Sequence, residues 1–291
     1  NLMGQVFEDP NLTSRATSAI VASFIIAVFV SVVDVVAGLP MAWFIVRGRT
    51  RWLSIIDTLA DIPFIVPTVT LGYSLKLFWH GTEDVFSPFG TSIISPGWLL
   101  VILLHFTFSY PVVVRVLVGA LQDYNYVYEE ASRTLGAASF TAARTVTLPI
   151  LKPSLIASFI LAFARSLSET GATVMVAGTF ENGPVFISNA LDEKLEGPRV
   201  LVSLILIVVS GTIFAVIHIL GPKLKIPVKR IWPKTERILS NIGTVTLRNS
   251  VSIVVFFLLI LIPSLFVAFP AIFAITSGTL NDAIGGIGVW Q

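Results

Sequence analysis

Cysteine is absent from the 291 residues of the chain, which excludes disulfides, thiolate metal sites and a cysteine nucleophile and leaves the redox compartment unspecified. Charge is scarce as well, with Asp, Glu, Lys and Arg making up 12% of the residues, about half the share of an ordinary soluble domain. No Gly-rich phosphate loop ending in Gly-Lys-Ser/Thr occurs, so the chain is expected neither to bind nor to hydrolyse ATP itself. Its histidines, His80, His105 and His218, stand singly, and each reads as an interfacial or core residue with no metal expected. A Ser-His-Asp arrangement has no local support. Together these absences argue against an enzyme of the conventional kind. The opening residues from Asn1 show no charged-then-apolar leader with a small-residue cleavage site, which fits a start that is processed or trimmed.

Apolar residues are abundant instead. They make up 55% of the chain and its mean hydropathy is +0.87, values of a polytopic membrane protein. Six hydrophobic stretches, 19–46, 53–79, 98–121, 154–176, 200–220 and 251–275, are each long enough to cross roughly 30 Å of hydrocarbon at about 1.5 Å per residue. The expected fold is all-α, a membrane helical bundle of about six transmembrane helices. Pro10 and Thr13 suggest a turn and cap before the first span, and Gly38 with Pro40 predicts a bend at its far end. Segments 80–97 and 181–199, rich in Gly and Pro, read as loops.

Basic residues give the orientation. Loops 47–52, 121–153 and 222–248 hold three, three and seven Lys plus Arg, thirteen in all, whereas the opposite set holds only Arg15, Lys194 and Arg199. Thirteen against three places the first set in the cytoplasm and both ends of the chain outside.

Between the third and fourth spans lies the polar insert 128–153, YEEASRTLGAASFTAARTVTLPILKP. Helix formers run from Tyr126 to Leu135, Gly136 permits a backbone conformation or close approach denied to other residues, and Ser139 can cap a second short helix. Pro149 is expected to stop that helix near Leu148, and Pro153 to open the next span. A helix–turn–helix braced against a span suits the transmission of force; the plain alternative is a loop with two interfacial helices.

Glu130-Ala131-Ser132, three residues, Gly136, nine residues and Val146-x-Leu148-Pro149 resemble the EAA signature of the membrane subunits of ABC importers, with Ser132 in place of the second Ala and Val146 in place of Ile. The resemblance covers about 11–220. It implies that 124–149 forms a cytoplasmic coupling helix, with Glu129, Glu130, Ala131, Ser132, Gly136, Leu148 and Pro149 coupling it to an ABC ATPase subunit present in two copies. ATP and Mg would be used by that partner, with no cofactor bound by this chain. Further partners implied are an extracytoplasmic substrate-binding protein docking on loops 80–97 and 178–199, a second permease copy as homodimer or fused pair, and the lipid bilayer of the plasma membrane; no nucleic acid is expected. DIPFIVPTVTLG and ARSLSETGATVMVAG look like the corresponding stretches of molybdate, tungstate and sulfate permeases, with Thr170 where Phe is usual. Thiamine and ferric-iron permeases share pieces of both. Related permeases carry one more span ahead of the signature. The chain therefore divides into a permease domain at 11–221, a basic cytoplasmic linker at 222–248, and an extra helix and tail at 249–291, which is either the start of a second unit or a rearranged sixth helix.

Charges inside spans need partners or water. Arg165 and Glu169, four apart, read either as an intrahelical pair or, with Thr68, Thr70, Ser168 and Thr170, as the lining of an anion path. Gly171 beside them would let two copies approach closely. Asp57 and Asp61 need a cation, for which Arg47, Arg49 and Arg51 are the expected source, while Lys76 and Arg115 are expected to snorkel. An ion-coupled transporter using Arg165, Glu169 and Asp34 as a charge relay, and a membrane scaffold without transport, are the competing readings.

Overall fold

A computed structural model describes residues 9–48, 52–81, 88–89, 91–223, 233–269 and 272. Arg49 and Arg51, most of 82–90, the stretch 224–232 and the tail beyond 272 lie outside the described residues. Everything regular among the described residues is helical, as the apolar stretches predict.

The first helix, α1 (Pro10–Arg47), is longer than its apolar stretch because Asp9 caps it and Pro10 occupies its first turn, where a missing N–H costs nothing. The Asp9 carboxylate accepts the Asn11 N–H at 2.9 Å. The helix continues unbroken through Gly38 and Pro40. Gly38 serves packing, since a Cβ there would sit 2.9 Å from Val113 on α5 (Trp98–Asp123). The most buried helix is α5, and with α1 and α7 (Ser139–Ser168) it forms the three-helix centre of the fold.

Two expected spans are broken. The stretch 53–79 divides into α2 (Trp52–Leu59), α3 (Ile62–Ile65) and α4 (Thr68–Trp79), with a bend of 107° before Thr68. Pro67 causes it, because proline pushes the residue before it into extended backbone, and Val66 has ψ 126°. The fourth stretch divides into the end of α7 and α8 (Gly171–Ala177), separated by an extended Glu169. After the break follow α9 (Gly183–Asp192) and the long apolar α10 (Glu196–Leu220).

The last span, α12 (Ile242–Leu265), follows a short α11 (Pro233–Leu239) and packs on α1, α4 and α5. Ser74 Oγ on α4 donates to the Pro263 carbonyl at 2.6 Å and accepts the Val267 N–H at 2.8 Å, and Thr107 Oγ1 donates to the Leu259 carbonyl at 3.1 Å.

Contacts sort by end as the charges do. Arg47 meets Glu129, the Phe140 N–H donates to Ser240 Oγ at 3.0 Å, and Arg144 pairs with Glu236 at 2.8 Å, so all three basic loops gather at one end. At the other end Arg15 grips Glu181 at 2.6 Å and Glu193 at 2.9 Å, and holds the Glu193 carboxyl below its ordinary range mainly through that hydrogen bond.

Asp57 and Asp61 find a different cation from the expected one. Arg115 on α5 reaches Asp57 at 2.7 Å and Asp61 at 2.5 Å, and also donates to the Asp57 carbonyl. It therefore ties the broken segment to the central helix and does not snorkel. Removing the guanidinium leaves two carboxylates four residues apart with no cation on them among the described residues. Arg115→Gln should lower the unfolding temperature by several degrees, and adding Asp57→Asn with Asp61→Asn should recover most of the loss. Strictly additive losses in that mutant cycle would contradict the brace.

Candidate functional site

The insert folds as a short helix, a glycine turn and a long helix. Helix α6 (Val127–Thr134) begins where Asn125 Oδ1 accepts the Val127 N–H at 3.1 Å, and carries Glu129 and Glu130 in its first turn and Arg133 in its last, complementing the helix dipole. It ends in a Schellman turn: Gly136 N–H donates to the Arg133 carbonyl at 3.0 Å and Ala137 N–H to the Ser132 carbonyl at 3.2 Å. Gly136 has φ +90°, and a Cβ added there would meet nothing within 4 Å. Of the two roles open to this glycine, the backbone conformation is the one it fills.

Ser139 opens α7 without capping it, since Ala138 takes the cap position. Pro149 does not stop the helix, and Pro153 does not start one. A single helix runs from Ser139 to Ser168 through a π turn at Ala143–Thr147, in which the Leu148 N–H reaches back five residues to the Ala143 carbonyl. The wider turn lets the helix pass Pro149, which has no N–H to donate. The same device precedes Pro263 in α12, where Phe256–Leu261 is the π turn. The arm is thus continuous with a membrane helix.

Glu129 fastens it. This side chain is buried, with 5% exposure, although most of α6 faces outward. Its Oε2 accepts from Thr147 Oγ1 at 3.2 Å and lies 3.7 Å from Arg47 Nη2, an ion pair too long for a hydrogen bond. The Arg47 guanidinium stacks on Tyr126, 3.9 Å from the ring centre. Glu130 and Ala131 are exposed, Ser132 half-buried and Gly136 open. Leu148 and Pro149 are half-buried inside α7. Val127, Tyr128 and Leu135 give the arm an apolar outer face, with Leu135 90% exposed.

The two helix breaks meet at mid-bundle. Helices α4 and α8 pack through small residues: a Cβ on Gly72 would lie 3.0 Å from Ala172, and one on Gly171 would lie 3.1 Å from Val69. Gly171 therefore meets a helix of its own chain. His105 ties α5 to both sides of the α7–α8 break, its Nδ1 2.7 Å from Ser166 Oγ and its Nε2 3.0 Å from Thr173 Oγ1.

Arg165 and Glu169 do not pair. Helix α7 ends between them, so the i,i+4 geometry is lost. Glu169 Oε1 accepts the Ala172 N–H at 3.2 Å and caps α8. Arg165 Nε donates to the Phe108 carbonyl at 3.2 Å, and its guanidinium lies 5.3 Å from the Phe108 ring and 5.9 Å from that of Phe64 beside the other break. Arg165 and Glu169 are half-buried, Ser168 and Thr170 exposed, and Thr68 and Thr70 half-buried on α4. Thr170 also lines a cavity of about 520 Å³ with Ser188, Ser203 and Arg199. Sequence reasoning missed Arg199, Phe64 and Phe108; Arg199, one of three basic residues in the base-poor set of loops and ends, carried the only visible signal.

Asp34 is fully buried on α1, where it accepts from Ser109 Oγ at 2.5 Å. Among the described residues no hydrogen bond or ion pair links it to Arg165 or Glu169, so the proposed relay has no wire.

Residues 34–226 match the family model described as the binding-protein-dependent transport system inner membrane component. The chain is 35% identical to the sulfate transport system permease protein CysT of Salmonella typhimurium over 176 residues, covering 60% of this chain and 62% of that protein. It is 33% identical to the Escherichia coli protein of the same name, again over 60% of this chain and 62% of the relative. The molybdenum transport system permease protein ModB of Escherichia coli is 29% identical over 198 residues, 67% of this chain and 82% of its own length. The match thus spans less than two thirds of these two sulfate permeases. With well over half of the chain inside the family model, and with its helices long and apolar enough to cross a membrane several times, the protein belongs to this family of ABC permease subunits.

Proposed function

We propose that this chain is the membrane subunit of an ATP-driven importer that passes a tetrahedral oxyanion, sulfate or molybdate and tungstate, handed over by an extracytoplasmic binding protein. A separate pair of ATPase subunits supplies the energy. The observation that carries the reading is the arm: α6 is pinned by Glu129 to α1 and to the start of α7, while its outer face exposes Val127, Tyr128 and Leu135, which no described residue covers. A pinned arm moves its span when pushed. In this reading closure of the ATPase dimer draws two such arms together, in a second copy or a fused partner, and tilts the spans from inward- to outward-facing.

The substrate class rests on the relatives named for sulfate and molybdenum and on the chemistry at the breaks. Arg165 sits on aromatic faces with one neutral carbonyl partner, beside the exposed hydroxyls of Ser168 and Thr170. A partly satisfied guanidinium with scattered hydroxyls attracts a dianion without holding it, as fast passage requires. Arg199 among Ser188, Ser203 and Thr170 repeats the chemistry on the outer side. The gathering of the three basic loops at one end supports a cytoplasmic arm, as the excess of basic residues in inward-facing loops would have it.

Leu135→Asp should bury an unpaired carboxylate in the ATPase contact, weakening association by about 3 kcal/mol, or roughly a hundredfold. The ATPase should then no longer co-purify, while membrane insertion stays normal; full uptake by this variant would refute the arm's role. Gly136→Pro should also stop uptake, since φ +90° is closed to proline.

Arg165→Gln should slow uptake of labelled sulfate or molybdate about tenfold, equivalent to roughly 1.4 kcal/mol, with the ATPase still bound. Unchanged uptake would remove Arg165 from the path.

A further inference from the structure

At the basic end, the close of α1, the arm and the start of α12 enclose a cavity of about 490 Å³. Arg47, Arg133 and Arg248 line it from three different elements, and the one carboxylate among its lining residues is Glu129. That carboxylate already serves Thr147 and Arg47. Among the described residues, half-buried Arg248 bonds only the neutral Asn249 Oδ1, at 2.9 and 3.2 Å, and Arg133 reaches only the Tyr126 hydroxyl at 3.3 Å. Nε and Nη2 of Arg47 are buried with no hydrogen-bond acceptor. Three guanidinium groups around one carboxylate leave an excess of two positive charges among the lining residues, with buried donors that no described residue fills.

We infer that this cavity is a binding site for a phosphate-class anion. Forked guanidinium donors match a tetrahedral oxyanion in two-point contacts, and donors left unfilled in a buried place are costly until such a ligand takes them. The rest of the lining includes Trp43 and Val245, which suits a ligand with an apolar attachment. Basic pockets between membrane helices at this level bind lipid phosphates, and free phosphate offers the same oxygens. Because the three arginines come from α1, α6 and α12, a bound anion ties the arm to the first and last spans. The site does not depend on what the chain transports.

The test is the unfolding temperature of the purified full chain in phosphatidylcholine nanodiscs, at constant ionic strength in chloride. Phosphatidylglycerol in the disc and inorganic phosphate in solution are the two probes. A rise of several degrees with the lipid alone identifies a headgroup as the ligand, and a rise with inorganic phosphate identifies the free anion. Arg248→Gln should abolish the rise while leaving the starting temperature unchanged or higher, because it deletes a half-buried charge that has no carboxylate. Arg133→Gln, on an exposed side chain, should reduce the rise and guards against misfolding of the first variant. No rise with either probe, or an equal rise in both variants, overturns the inference.

Discussion

A single buried carboxylate orients the basic end of this protein. Glu129 lies on a short helix whose other side chains mostly face outward, and a carboxylate at that depth is tolerated only where a cation and a hydroxyl meet it. Arg47 at the end of α1 and Thr147 in the π turn of α7 are those groups. Satisfying Glu129 therefore fixes α6 against two membrane helices at once. The same constraint leaves Val127, Tyr128 and Leu135 turned outward, since none of them shares the face that Glu129 buries.

A second constraint governs the middle of the bundle. Hydrocarbon forbids unsatisfied backbone, so broken helices persist only where protein or water completes their bonds. Here Glu169 caps α8, His105 bridges both sides of the break, and Gly72 with Ala172 brings α4 close enough to shield it. The breaks leave Arg165 beside exposed hydroxyls, a combination that continuous helices would have hidden. The Arg115 brace joins the other broken segment to the same central helix, so both interruptions hang on α5.

Features set by local chemistry or by simple charge counts were readable in the chain. Helix α6, the turn at Gly136 and the gathering of basic loops at one end all follow from residues a few positions apart or from their sum. Features decided by distant partners were not. Pro149 and Pro153 read as a stop and a start because an ordinary α-turn cannot pass a proline so easily, whereas a π turn two residues earlier can, and no short pattern announces it. Arg165 and Glu169 have the spacing of a pair, but the helix ends between them. Arg115 is 54 residues from Asp61 and gives no hint of its target. The inward turn of Glu129 rather than Glu130 likewise needed Arg47 and Thr147 in place.

Rigidity of the arm with its span is the central claim, and a distance measurement tests it most directly. The chain has no cysteine, so spin labels can be set on introduced cysteines at Tyr128 on the arm and Leu161 on α7, both exposed. In the assembled transporter the distance between them should stay the same, with a narrow distribution, in the absence and presence of ATP. A distance that shifts or broadens on nucleotide binding would mean that the arm swings on a hinge, and would contradict the account.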